Sequence, residues 1–434
     1  MNVKKIAAVA VIYILTSIAW IILSTTTAIR TDSTYGKLES GSEDRETSGG
    51  RADVQHLWGA AQLQHAPTVW TTHKEKQVTK DAKGKNIVQE VSKDDPAVLS
   101  KSRINVKIDL DPRRKGLLWY STYRVKFAGD YAFSNEYPEK RTFFVKFVFP
   151  ANQAAFDNVL MYVKGQRLQP KGNLAEGIVA PVKLNPKESA EVKVAYGSQG
   201  LDTWHYQFTD DSSIASVRDF DASIVANCRD IDFPESCLSP TSKTFKNGGW
   251  NLRWKYGDLI SGSQLGISMP QKLQPGPFAS RLSKFAPVSL FFFFAVLLII
   301  GTLKNIKLHP VNYLFLAATF FSFHLLFSYL VDHFAPFPSF LVASAVSLLL
   351  TITYLRLVVD WKFSVFQAGF WQFVFLVLFT YAFFFEGYTG LTITIGAILT
   401  LAAMMQLTGR VNWEERLTPK QQLPYQPPQQ PGQS

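Results

Sequence analysis

The 434-residue chain has only two cysteines, Cys228 and Cys237, and their spacing is not C-x-x-C, so it carries no redox dithiol motif. It has no G-x-S-x-G nucleophile elbow and no H-E-x-x-H zinc helix. His56, His65 and His73 lie near Trp58 and Trp70, but their spacings match no standard metal motif. The aspartates Asp210, Asp211, Asp219, Asp221, Asp230 and Asp232 lack EF-hand spacing and read as a solvated acidic loop rather than a cation site. His205 stands alone in Thr203-Trp204-His205-Tyr206 and reads as a strand residue. The net charge of +11 comes without any zinc-finger, helix-turn-helix or RNP-type pattern. Nucleic acid is therefore set aside, because a membrane protein also gathers Lys and Arg on its cytoplasmic side. No catalytic residue set, cofactor or metal site is expected.

Long apolar runs are what the chain does have. A mean hydropathy of +0.02 averages two unlike parts, a polar region and an apolar one. From Ala286 to Leu407 five apolar segments follow one another: Ala286 to Leu303, Tyr313 to Val331, Phe340 to Val358, Phe366 to Phe385 and Leu391 to Leu407. Each approaches the roughly 20 residues a helix needs to cross a bilayer. Backbone in hydrocarbon must bond to itself, so the five read as a transmembrane helical bundle. A sixth run, Ile6 to Leu23, follows Lys4 and Lys5. It is long for the apolar part of a signal peptide, and Thr26-Thr27-Ala28 is a poor cleavage site, so an uncleaved signal anchor is expected. Tyr13, Ser17 and Ser24 fall near one face of that helix, which suits packing against the other spans.

Basic residues give the orientation. Lys4, Lys5, Lys304, Lys307, Arg356, Lys362, Arg410, Arg416 and Lys420 fall on one side of a six-span layout. The opposite breaks, Asp332 to Pro338 and Glu386 to Gly390, contain neither Lys nor Arg. Both termini are thus expected in the cytoplasm. Arg281 and Lys284 sit on the wrong side, but they end a long exported domain, which translocates largely regardless of charge.

Within that exported region, residues 30–100 lack periodicity and read as a polar linker, with Ser40-Gly41-Ser42 and Ser48-Gly49-Gly50 as flexible points. From Arg103 the pattern becomes that of strands. Ile104, Val106, Ile108 and Leu110 alternate with polar residues, as do Phe143, Val145 and Phe147, then Val192 and Val194, then Leu252, Trp254 and Tyr256. A turn is expected at Lys164-Gly165-Gln166. The fold class is therefore an α+β membrane protein. It divides into an anchor (1–29), the linker (30–100), a β-rich, sandwich-like periplasmic domain (101–284), a five-span bundle (285–408) and a disordered Pro/Gln-rich cytoplasmic tail (409–434). Cys228 and Cys237 then lie where oxidation is permitted, and they form a candidate disulfide.

One ionisable residue lies deep in a span. His324, Ser328 and Asp332 fall at i, i+4 and i+8, a candidate intramembrane polar stripe running to the outer face. Polar packing is the preferred reading and a proton relay the alternative. Ser344, Ser347, Thr351 and Tyr354 share one face of their helix, as do Thr392, Gly396, Thr400 and Ala403 of theirs, which suits close helix packing. Pro310 after His309 is expected to start a helix.

The bundle resembles the CreD family of bacterial inner-membrane proteins. The residues that carry the resemblance are Leu308-His309-Pro310-Val311-Asn312-Tyr313-Leu314, Phe323 to Phe334, Thr353-Tyr354-Leu355-Arg356, Glu386-Gly387-Tyr388 and Thr408-Gly409-Arg410-Val411-Asn412-Trp413. The resemblance implies an N-terminal span, a large periplasmic domain, a C-terminal bundle and a non-enzymatic role in envelope integrity or stress response. It brings no catalytic residues. The alternatives are a transporter or channel with a polar path along the third span, and a membrane-anchored periplasmic enzyme. The expected partners are the lipid bilayer and other envelope proteins or further copies of the chain.

Overall fold

The computed structural model describes residues 3–40, 50–80, 86–151, 154–169, 176–209, 214–306, 308–385 and 387–409. The expected disordered tail lies almost wholly outside them. The described chain forms two compact units, Gly36–Leu273, and Met1–Tyr35 with Gln274–Ser434.

The first unit is β-rich. Its largest sheet has eight strands in the order β10 (Gln166–Leu168), β9 (Phe156–Val163), β12 (Ser189–Leu201), β7 (Thr122–Ser134), β4 (Lys101–Leu110), β14 (Ala215–Ala226), β16 (Gly249–Ser261) and β15 (Ser242–Lys246). A second sheet runs β11 (Ile178–Leu184), β8 (Arg141–Phe147), β2 (Thr68–Lys80) and β3 (Asn86–Ala97). A third joins β1 (Gln62–His65), β13 (Thr203–Gln207) and β17 (Leu265–Ser268), and the short pair β5 (Arg113–Lys115) and β6 (Leu118–Tyr120) stands apart. The three larger sheets bury one core. Phe143, Val145 and Phe147 of β8 share one buried cluster with Ile104, Val106 and Ile108 of β4, Phe127 of β7 and Trp204 of β13, the last two 6.5 Å apart ring to ring. Phe127 and Phe147 stand 6.4 Å apart, ring to ring, and Phe133 and Phe143 5.7 Å. The expected alternation is what places them: β4 buries every second residue from Ser102 to Ile108. The expected turn is present as well. Lys164 and Gly165 both take positive φ, 51° and 77°, the conformation that joins antiparallel strands with the right twist.

The linker expected over 30–100 is overturned. Helix α2 (Arg51–Trp58) and strands β1, β2 and β3 lie within it. In β2 only Thr68–Thr71 pair with β8, and the rest pairs with β3 alone. β1 hides because its inward residues are Gln62 and Gln64. Gln62 Nε2 donates to Ser198 Oγ and Gln199 O, while its Oε1 has no partner among the described residues, and Gln64 accepts from the Tyr196 hydroxyl at 2.7 Å.

The second unit is helical. α1 (Val3–Ser40) is followed after the β unit by α3 (Pro275–Lys284), α4 (Ala286–Leu303), α5 (Pro310–His333), α6 (Pro336–Val358), α7 (Trp361–Phe384) and α8 (Thr389–Thr408). Six of these, all but α3, are long and apolar enough to span a bilayer. α1 docks as its polar face suggests. Ser17 and Ser24 are buried, Tyr13 donates to Pro287 O, Trp20 Nε1 donates to Ser283 O at 3.0 Å, and the Trp20 ring stacks on Phe321 at 4.5 Å. The Tyr35 hydroxyl accepts from Gly276 N, and a Cβ at Gly276 would stand 2.3 Å from that ring. α3 was expected to close the exported domain, but it packs in the bundle instead. Phe278, fully buried, meets Phe327 of α5 and Phe384 of α7.

Candidate functional site

The polar groups that α5, α6 and α7 bury between them form the candidate site. α5 starts as the sequence suggests: His309 Nδ1 accepts from Val311 N, and Pro310 takes the first helical position. Ser344, Ser347 and Thr351 of α6 then turn inward, all 5% exposed or less. The Thr351 and Thr319 hydroxyls lie 2.7 Å apart, and Ser347 Oγ donates to Thr319 O at 2.6 Å. Gln372 of α7, fully buried, donates through Nε2 to Ser347 Oγ at 2.9 Å. Near one end, Tyr354 donates to Asn312 Oδ1 at 3.0 Å. Ser289 of α4 donates to Phe375 O of α7. Four helices are thereby cross-bonded by uncharged groups. In hydrocarbon each such bond contributes about 0.6–2 kcal/mol.

Gln372 was not singled out from the sequence. It lies between two π-helical runs, Ser364–Gly369 and Phe373–Leu378. Ser364 and Thr380, eight residues to either side of Gln372, are also buried, and the π-helical turns widen the helix between them. The available signal was an amide deep in an apolar run that it shares with Gln367.

His324, Ser328 and Asp332 lie in a row on α5. Ser328 Oγ donates to the carbonyl of His324, one turn back in its own helix. The His324 ring, 2% exposed, sits among Trp20 (5.8 Å), Phe320 (6.2 Å) and Phe323 (4.9 Å), with no hydrogen-bond partner for either nitrogen among the described residues. The last-span group, Thr392, Gly396 and Thr400, lines a crevice of about 200 Å³ with Phe292, Phe375 and Phe379, while its two hydroxyls bond to their own helix.

The β unit does not gather its chemistry-bearing residues. Cys228 and Cys237 are both free thiols, so the candidate disulfide is not formed in this structure. Cys228 is buried just past the end of β14, while Cys237 sits in a turn whose backbone pairs with Gln264. Burial raises both thiols above their ordinary range. Asp219 is held by Arg103 and Asp221 by Arg253, whose hydrogen bonds lower the Asp221 carboxyl below the usual range. The acidic series is thus partly spent in ion pairs, and Asp210 and Asp211 lie outside the described residues. His65 Nδ1 lies 2.8 Å from Thr209 O, His73 Nδ1 lies 2.7 Å from Asp95 Oδ2, and His205 of β13 stands in register with Gly266 of β17. Among the described residues, no group of three or more His, Cys, Asp or Glu could hold a metal ion.

A family model described as "Inner membrane protein CreD" matches residues 241–414. No curated protein matches. Among solved structures, a putative nutrient binding protein from Legionella pneumophila is similar at 10% identity and a TM-score of 0.31, over 54% of this chain and 76% of that one. An M1 zinc metallopeptidase from Deinococcus radiodurans bound to a Tyr-Ser-Ala substrate is similar at 12% identity and a TM-score of 0.25, over 40% and 42%. Neither likeness is close enough to carry an argument about fold or activity. The family match spans the last strands of the β unit and the bundle together, so over those residues the chain is similar to the CreD inner-membrane proteins, and six of its described helices are long and apolar enough to cross a bilayer.

Proposed function

We propose that the chain acts non-enzymatically in the envelope, holding a β-rich domain outside the cytoplasm on an uncleaved N-terminal anchor and a five-span bundle. The observation that carries this reading is the CreD match running from β15 through α8. The buried bundle groups support it, because they are uncharged and bonded helix to helix in the manner of a clamp. A transporter is the second reading. The unbonded His324 ring and the π-helical turns beside Gln372 favour it, since both features recur at functional positions in membranes.

A deletion strain separates the two. Challenged with detergent, cell-wall antibiotics and osmotic shock, it is expected to be sensitive, and both the full chain and the His324→Ala chain should restore resistance. Rescue by the full chain but not by His324→Ala would support a path through α5. A deletion without any sensitivity would remove the envelope role.

Orientation has its own test. With both termini in the cytoplasm, the half-buried Cys237 faces the periplasm. A membrane-impermeant maleimide, added to intact spheroplasts after mild reduction, is expected to label it. Labelling only after lysis would invert the layout.

A further inference from the structure

A serine or threonine hydroxyl in hydrocarbon usually donates to a carbonyl three or four residues back in its own helix. On α5 and α6, Ser322, Ser328, Ser339 and Thr353 do so. Thr319, Ser347 and Thr351 bond across the seam between the two helices instead. Ser344 is the exception among the hydroxyls of this pair. It is 5% exposed, and its Oγ has no hydrogen-bond partner among the described residues. A hydroxyl that is buried and turned away from its own helix points to a partner that is not a protein atom.

A second unpartnered atom belongs to the same junction. Gln372 of α7 is fully buried, and its Nε2 meets Ser347 twice, at Oγ (2.9 Å) and at the carbonyl (3.4 Å). Its Oε1, carried on the same carbon as Nε2, has no partner among the described residues. Ser344 lies three residues before Ser347 on α6, a spacing that sets side chains side by side with Cβ atoms about 5–6 Å apart. A buried hydroxyl and a buried amide oxygen are thus neighbours, yet they do not bond to each other. Residues 308–385, which supply all three helices, are described without a break. Between Pro336 and Leu355 of α6, and between Phe363 and Phe384 of α7, there is no Asp, Glu, Lys, Arg or His.

We propose that a buried water molecule joins α6 to α7 at this junction, accepting from Ser344 Oγ and donating to Gln372 Oε1. The hydroxyl lacks an acceptor and the amide oxygen lacks a donor, and water is both at once. It reaches about 2.8 Å to each side, so it can link oxygens about 5.5 Å apart. Buried waters in proteins sit at such otherwise unsatisfied polar groups and make two to four hydrogen bonds there. A metal cation would meet the same two oxygens, but it would leave the Ser344 proton without an acceptor and bring a charge that no side chain here balances. The water extends the bonded seam of α5, α6 and α7 by one turn, beside the point where π-helical runs flank Gln372. The inference holds whether the bundle is a clamp or a transport path, because it rests only on the two unpartnered atoms.

The first test is a crystal structure of the full, unaltered chain grown in lipid, at a resolution that shows ordered water. One density peak is expected within about 3.2 Å of both Ser344 Oγ and Gln372 Oε1. A direct bond between the two side chains would overturn the proposal, as would an empty junction in a map that shows other buried waters. A peak with oxygen contacts of about 2.3–2.5 Å, the range of a hard cation, would overturn it in favour of a metal. The second test is a double-mutant cycle of Ser344→Ala and Gln372→Met, read by SDS unfolding of the purified chain. A water held by both side chains makes the changes non-additive, so Ser344→Ala should shift the unfolding constant about threefold or more less once Gln372→Met is in place. Strict additivity would mean that nothing joins the two side chains. The crystal structure decides the matter even where a variant fails to fold.

Discussion

Trp254→Ala is expected to cost the β unit about 3–5 kcal/mol, the usual range for removing a large buried aromatic. Trp254 lies on β16, fully buried, in register with Ala222 of β14. Its Nε1 donates to Leu238 O at 2.8 Å, so truncation leaves both a cavity and an unpaired carbonyl beside it. A domain holds about 5–15 kcal/mol in all, so the loss is a large share of what keeps the unit folded. Trp250 is the internal comparison. It lies on the same strand, only partly buried, and its Nε1 donates to Arg229 O. Trp250→Ala should cost about 1 kcal/mol, near the value of one hydrogen bond. Hydrogen exchange on the full chain reads both. Amides of β14 and β16 should lose protection by several kcal/mol in Trp254→Ala and change little in Trp250→Ala, with the spans of the bundle unaffected. Equal protection in the two variants would mean that Trp254 does not anchor this core.

Much of the core could be read from the sequence because one physical rule produced it. Where a strand packs one face on the core and the other meets water, apolar and polar residues alternate, and Ile104, Val106, Ile108, Val192, Val194 and Leu252 stand where the alternation put them. The helical spans were legible for a simpler reason, since lipid demands apolar length, and α4 begins and ends at the residues its hydropathy suggests. The N-terminal strands escaped because each breaks the rule on which reading depends. The outer part of β2 pairs with β3 alone, and β1 fills its core positions with glutamines. α3 escaped because its charges drew attention: Arg281 and Lys284 looked like the end of an exported domain, while Phe278 and Leu282 bury themselves in the bundle. In the candidate site, the α6 face of Ser344, Ser347 and Thr351 was visible as a 3.6-residue row. Its partner Gln372 was not, because it stands in a run where Phe, Trp, Val and Leu dominate and π-helical turns flank it.

Ser347 is the position where this seam is most exposed to test. Its side chain is fully buried where α5, α6 and α7 meet, donating to Thr319 O and accepting from Gln372 Nε2. A small residue there lets the helices approach and bond at once. Ser347→Ala keeps the approach and removes the hydroxyl, leaving Gln372 to its longer contact of 3.4 Å with the Ser347 carbonyl, and should cost about 1 kcal/mol. Ser347→Leu removes the same bonds and forces two further methyl groups into a filled junction, which adds about 1–3 kcal/mol of overpacking. A total of about 2–4 kcal/mol is therefore expected for Leu against about 1 for Ala, read as the shift in unfolding of the purified protein by titration with SDS in mixed micelles. Thr353→Leu is the control. Thr353 is exposed on the same helix and bonds only to carbonyls of its own helix, so in lipid the change should be close to neutral. If Leu at 347 were no worse than Leu at 353, the junction would not be packed as described, and Gln372 would be free to serve something other than holding the helices together.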